Sequence, residues 1–145
     1  RYAGLGLAAL TLSPELPLAA ANRLGAGVPT GLLAYGHLPL MLTRACPVRN
    51  RKTCAECRAQ GVLVDRKGRR LTVACTGPGA DGARELLNPV PLWLGDRRRE
   101  VGTDFTVLYF TGESAARAAE VARLYRQGLP FDGEFTRGLY FKTVE

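Results

Sequence analysis

The sequence has little of what the common enzyme signatures require. It contains one histidine, one methionine and one tryptophan in 145 residues. The HExxH and GxSxG motifs are both absent, and a single histidine limits any catalytic triad. Segment 77–82 is rich in glycine, but it also contains a proline and no P-loop lysine follows it. We therefore expect a flexible loop there. Composition and motifs therefore point to no familiar protease or nucleotide-binding site.

Long hydrophobic runs are missing too. No segment approaches the roughly 18 consecutive apolar residues of a membrane-spanning helix. We therefore expect a soluble, cytoplasmic protein, with residues 1–145 forming one domain. The first residues have neither a start methionine nor the layout of a signal peptide, so we expect the chain to be part of a longer protein.

Acidic residues are scarce in one segment, which accounts for the whole charge imbalance. The net charge is +7, and segment 44–70 has nine basic residues but only Glu56 and Asp65 as acids. Such a patch can attract RNA or another anion, and we expect Arg49, Arg51, Lys52, Arg69 and Arg70 to bind it. The alternative is a solvated surface loop. The nine residues are Arg44, Arg49, Arg51, Lys52, Arg58, Arg66, Lys67, Arg69 and Arg70.

Short apolar runs between turn residues predict buried strands at 7–12, 31–35 and 105–110. Apolar periodicity predicts helices at 18–24 and 113–127. Gly25 and Gly128 stand where these helices would end, and Thr111 or Ser114 can cap the second. This order of strands and helices is typical of a parallel α/β fold, with a long insertion at 42–104. Within the insertion, 62–65 and 69–73 predict a hairpin.

The four cysteines all lie in this insertion, spaced Cys46-x7-Cys54-x2-Cys57-x17-Cys75. If Asp65 paired with Gly68, the hairpin register would place Cys75 opposite about Arg58 and so beside Cys57. We therefore predict one metal site, holding a [4Fe–4S] cluster or zinc. The alternatives are a redox or disulfide pair and unconnected thiols.

Three polar residues follow predicted strands, where parallel barrels carry catalytic groups. They are Glu15, His37 and Glu113. Each has a structural alternative: first-turn helix chemistry for Glu15, a hydrogen-bonded turn for His37, and a helix N-terminal charge for Glu113.

Several motifs resemble those of the collagenase-like U-32 peptidase family, and their order covers most of the chain. They are Leu12-Ser13-Pro14-Glu15-Leu16, the run from Tyr35-Gly36-His37 to Met41, the cysteine segment, Asp65-Arg66-Lys67-Gly68, Leu86-Leu87-Asn88-Pro89, Phe110-Thr111-Gly112-Glu113 and the closing run from Phe135-Thr136-Arg137 to Phe141.

The resemblance implies the C-terminal portion of a modified (β/α)8 barrel, with the cysteine-bearing hairpin inserted between its last two strands. It implies proteolysis of collagen-like peptides or, as in several members, oxygen-independent hydroxylation of RNA bases or small quinone precursors with [4Fe–4S] clusters bound by cysteines. Cys46, Cys54, Cys57 and Cys75 would inherit that ligand role. This chain has Tyr35-Gly36 where many relatives have a His-Gly pair. A zinc-stabilised structural or interaction module is the third possibility.

Overall fold

A computed structural model describes residues 3–58, 61–75 and 82–142. The chain divides into two compact units. The first unit contains the residues up to Gly36 and those from Pro91 onward, and the second, which we call the cysteine unit, is His37–Val90. Of the glycine segment 77–82, all but Gly82 lies outside the described residues.

The described residues form eight strands, three α-helices and two 3₁₀ turns. The strands are β1 (Leu10–Thr11), β2 (Thr30–Gly36), β3 (Pro39–Thr43), β4 (Gly61–Val64), β5 (Arg70–Cys75), β6 (Arg84–Leu87), β7 (Leu92–Trp93) and β8 (Phe105–Leu108). The helices are α1 (Leu18–Ala21), α2 (Cys54–Cys57) and α3 (Ala115–Gln127), and the 3₁₀ turns are Ala3–Leu5 and Gly95–Glu100.

The first unit is built on a mixed sheet with β2 at its centre. β8 runs parallel along one edge of β2, while β1 pairs parallel with its start and β7 antiparallel with its end. Six of the seven β2 residues are buried, which explains the continuous apolar run that predicted a strand covered on both faces. Strands form at all three predicted places, but β1 and β8 are shorter than predicted and only β2 is buried.

Helix α3 also agrees with the sequence pattern. Ser114 caps its start by accepting a hydrogen bond from the N–H of Arg117 at 3.2 Å. Gly128, at a φ of 68°, ends it in the left-handed conformation that glycine adopts readily. Val121 and Leu124 are buried, and they pack with Tyr35 and Trp93 in the core of this unit.

The cysteine unit is an antiparallel sheet with the strand order β3-β6-β5-β4. The predicted hairpin is confirmed as β4 and β5, and the Asp65 carboxylate closes its turn by accepting the N–H groups of Lys67 and Arg69. The register differs from the prediction by one residue, because Gly61 pairs with Val73. The described pairs end with Gly61 and Val73, so the predicted position of Cys75 opposite about Arg58 is not among them.

The prediction of a (β/α)8 barrel portion is wrong. β7 runs antiparallel to β2, the second sheet is entirely antiparallel, and among the described residues only α3 is an α-helix of more than four residues. The expected helix over 18–24 ends at Ala21, leaving Leu24 47% exposed. The parallel pairs of β2 produce a barrel-like pattern in the sequence, but the chain between β2 and β8 forms antiparallel strands instead of a helical crossover.

Candidate metal centre

Two of the cysteines lie on α2, a single helical turn fixed by its own side chains. Thr53 and Glu56 form a reciprocal capping box, in which the Glu56 carboxylate accepts the Thr53 N–H at 2.8 Å. This bond and the one from the Thr53 hydroxyl lower the pKa of Glu56. The turn leaves Cys54 exposed and Cys57 half-buried.

Gly61 lies where two further segments of this unit meet Cys57. A Cβ atom on Gly61 would lie 3.1 Å from Cβ of Val73. The same point lies 3.2 Å from Cγ2 of Val48 and 3.6 Å from Sγ of Cys57. The absence of a side chain at Gly61 therefore lets the 48 segment and α2 approach the hairpin closely.

Cys75 lies on the same face of the sheet. Gly61 and Val73 are directly opposite each other, and Cys75 is two residues beyond Val73, so the side chains of Val73 and Cys75 share a face. Arg84 lies directly opposite Cys75 and belongs to that face as well. We call the face that carries Val73, Cys75 and Arg84 the cysteine face.

Cys46 is tied to this face through Val48, which is 6% exposed. The Cys46 carbonyl accepts the N–H of Arg49 at 3.2 Å, and the Val48 carbonyl accepts those of Arg51 and Lys52 at 3.0 Å. These bonds make a compact turn without regular secondary structure.

The donor set has the chemistry of a thiolate metal site. All four cysteines are free thiols, and none is fully buried. Within residues 3–58, 61–75 and 82–142, however, no three His, Cys, Asp or Glu side chains are close enough together to hold a metal. The fold brings the segments together on one face, but the sulfur atoms would have to move to share an ion.

The basic residues of segment 44–70 lie on the surface of the same unit as these thiols. All nine are exposed, and none forms an ion pair with another described residue. An unneutralised set of guanidinium and ammonium groups is the electrostatic arrangement that favours phosphate binding. Arg49, Arg51, Lys52, Arg69 and Arg70, which we predicted as the anion contacts, all belong to this set.

Glu113, one of the candidate strand-end residues, is held by three hydrogen bonds. Its carboxylate accepts the Tyr35 hydroxyl at 2.7 Å and the N–H groups of Thr111 and Gly112 at 2.8 and 3.0 Å. Burial raises its pKa, but these hydrogen bonds outweigh burial and leave the pKa below its ordinary value. Burial and the hydrogen bond to Glu113 both raise the pKa of the Tyr35 hydroxyl. Glu113 therefore fastens the end of β2 to the start of α3.

The other two candidates have local contacts of their own. His37 Nδ1 lies 2.7 Å from the carbonyl oxygen of Asn88, and the ring is half-buried. Glu15 is exposed, and its N–H donates to the Ser13 hydroxyl at 3.3 Å. The His37 contact agrees with the hydrogen-bonded alternative, whereas Glu15 lies in the turn before α1, whose first turn contains no acidic residue.

Sequence reasoning missed Gly61, Tyr35 and Arg84. Gly61 and Arg84 acquire their roles from strand register, which depends on pairings far apart in the chain. Tyr35 has a partner 78 residues away. The one local signal was the position of Gly61 at the start of a strand, because a glycine in a strand often marks a site where another segment approaches the backbone closely.

No family model, curated protein or solved structure matches this chain. None of the helices in the described part of the chain combines the length and apolarity that crossing a bilayer requires.

Proposed function

We propose that the cysteine unit binds an iron–sulfur cluster through Cys46, Cys54, Cys57 and Cys75. The observation that supports this most strongly is the convergence at Gly61, where α2 and the turn after Cys46 meet the strand that leads to Cys75. Four thiolates are the usual ligands of such clusters, which supply one-electron transfer when bound. Thiols stay free to bind metal in a reducing compartment, so a cytoplasmic location is part of this proposal.

We further propose that the unit binds RNA through the basic residues of segment 44–70. Their exposure and lack of ion-pair partners among the described residues support a polyanionic ligand. The resemblance to the U-32 family connects cysteine-bound clusters with oxygen-independent hydroxylation of RNA, which is the reaction we propose. Without O2 this reaction requires a co-substrate that donates the hydroxyl oxygen and an acceptor for the two electrons removed from the base. We do not propose peptidase activity, because Glu113 and His37 are engaged in structural contacts.

A zinc-stabilised module is the second candidate. The cysteine unit is a sheet of roughly 50 residues, a size at which a metal often supplies the stability that a small core lacks. Its β3 strand exposes Leu40, Met41 and Leu42, which leaves few apolar side chains to bury. Such a unit benefits from a stabilising cross-link between its segments, and zinc bound by four thiolates would provide one.

Metal analysis of the full-length protein purified without oxygen separates the two. We expect a brown protein with iron and sulfide in equal amounts and broad absorbance at about 400 nm. A colourless protein with one zinc per chain would overturn the cluster and support the zinc module. A protein with neither metal would overturn both.

A further inference from the structure

Arg84 is a buried arginine on the cysteine face. It is 4% exposed, and its Nη1 donates to the carbonyl of Arg44 at 3.0 Å and to the carbonyl of Gly82. A guanidinium group is costly to bury, so a buried one is retained where its donors bind specific acceptors.

Arg84 is on β6, which lies between β5, the strand of Cys75, and β3, the strand that leads to Cys46. It lies directly opposite Cys75 on β5 and directly opposite Thr43 on β3. Residues directly opposite each other in an antiparallel pair have Cβ atoms roughly 5 Å apart on the same face. Arg84 is thus an immediate neighbour of Cys75.

The hydrogen bond to Arg44 connects Arg84 to a second ligand segment. Arg44 lies two residues before Cys46, where the chain leaves β3 and has no strand partner. Thr43 reinforces this corner, since its hydroxyl donates to the carbonyl of Ala45 at 3.0 Å. The backbone just before Cys46 is therefore held by side chains of the sheet.

We propose that Arg84 is a positioning residue that holds the chain just before Cys46 at the cysteine face, so that Cys46 can join Cys75 in one metal centre. This inference rests on the proposed function, because it requires that the four cysteines bind one metal centre. Arg84 acts through the backbone of Arg44 and not as a ligand. Groups that orient metal ligands in this way commonly contribute about 10- to 100-fold to metal affinity.

Cobalt titration of the full-length protein, reduced and kept without oxygen, tests this. We expect Arg84→Gln to weaken cobalt binding about 10- to 100-fold and to reduce the thiolate-to-cobalt charge-transfer absorption. Arg84→Lys, which keeps the buried charge and one donor, should recover part of the affinity. Glu85→Gln is the matched control, because its side chain projects from the opposite face of the same strand.

A double-mutant cycle distinguishes positioning from general stability. In a Cys46→Ser background Arg84→Gln should weaken binding no further, whereas in a Cys54→Ser background it should have its full effect. Equal losses in both backgrounds, or unchanged affinity in Arg84→Gln, would overturn the inference. If Arg84→Gln fails to fold by circular dichroism, Arg84→Lys is used in the same cycle. A wild-type protein that shows neither thiolate-to-cobalt absorption nor iron–sulfur absorption at about 400 nm would instead overturn the proposed metal site, and if only the cluster forms, cluster content replaces cobalt affinity in the same cycle.

Discussion

Sγ of Cys57 lies 3.6 Å from the position that a Cβ atom on Gly61 would occupy. This contact brings the Cys-x-x-Cys turn against the start of β4 and, through the Gly61–Val73 pair, onto the face that carries Cys75. The missing side chain at Gly61 leaves room for this approach, and its part in the proposed metal site can be tested directly.

Gly61→Val should weaken metal binding by pushing two ligand segments away from the sheet. The added side chain meets Val73 at 3.1 Å and Val48 at 3.2 Å, contacts that force neighbours to shift. We expect a loss of about 1–3 kcal/mol in the free energy of unfolding, together with a lower bound-metal content. Chemical denaturation and elemental analysis measure the two effects.

Gly112→Ala is the control for this substitution, because a Cβ atom at Gly112 meets nothing within 4 Å. It should leave metal content unchanged. Full metal content in Gly61→Val would show that the approach of α2 to β4 has no part in the site.

Cys57→Ser should lower metal content and stability together, because ligand binding and folding are coupled. Thr72→Ser, an exposed change on β5, should alter neither. Metal-to-protein ratio and the midpoint of thermal unfolding are the measurements. Unchanged metal content in Cys57→Ser would mean that the ligand set is different.

Tyr35→Phe should destabilise the first unit by about 1 kcal/mol at neutral pH, the usual value of one hydrogen bond. The Glu113 pKa is depressed in the folded state, so its contribution is present above the pKa of the unfolded chain and is lost as pH falls through the folded value. The difference between wild type and variant should therefore shrink below about pH 4. Denaturant unfolding at several pH values checks this, and a difference that grows on acidification would contradict it.

Arg137→Lys should destabilise the first unit. The guanidinium forms a two-pronged ion pair with Asp96 at 2.7 and 2.6 Å and also donates to the carbonyl of Trp93 at 2.7 Å. Lysine cannot reproduce this fork, so we expect a loss on the order of 1 kcal/mol and a rise of the Asp96 pKa toward its ordinary value. NMR titration of Asp96 measures the pKa, and an unchanged value in Arg137→Lys would contradict the account.

Charge reversal on the hairpin should weaken RNA binding. Arg69→Glu with Arg70→Glu should reduce both the affinity for single-stranded RNA and the dependence of that affinity on salt. Arg123→Glu with Arg126→Glu makes the same charge change on α3 of the first unit and serves as the control. Equal losses in the two double variants would indicate attraction by net charge alone.

The sequence predicted the parts of this fold that depend on neighbours in the chain. Ser114 and Gly128 bound α3 as expected, and Asp65 and Gly68 make the predicted hairpin turn. The continuous apolar run of β2 correctly predicted that this strand is buried on both faces. Each of these features is decided by side chains a few residues apart.

The errors concern partners far apart in the chain. Apolar runs at β2 and β8 identify buried strands but do not say that β7 fills the edge of β2 in the opposite direction. The hairpin register differs by one residue from the predicted one, and the pairing of β5 with β6, which places Arg84 opposite Cys75, joins strands separated in the chain. Spacing therefore predicted the candidate ligands, while their arrangement required the sheet.

X-ray absorption at the metal edge of the anaerobically purified full-length protein tests the four-cysteine site itself, because it identifies the metal and the elements bound to it. We expect iron with four sulfur ligands at about 2.3 Å, three of them cluster sulfides and the fourth a thiolate, so that Cys46, Cys54, Cys57 and Cys75 each bind one iron. A bound metal surrounded by nitrogen or oxygen, or a folded protein that binds no metal, would contradict it.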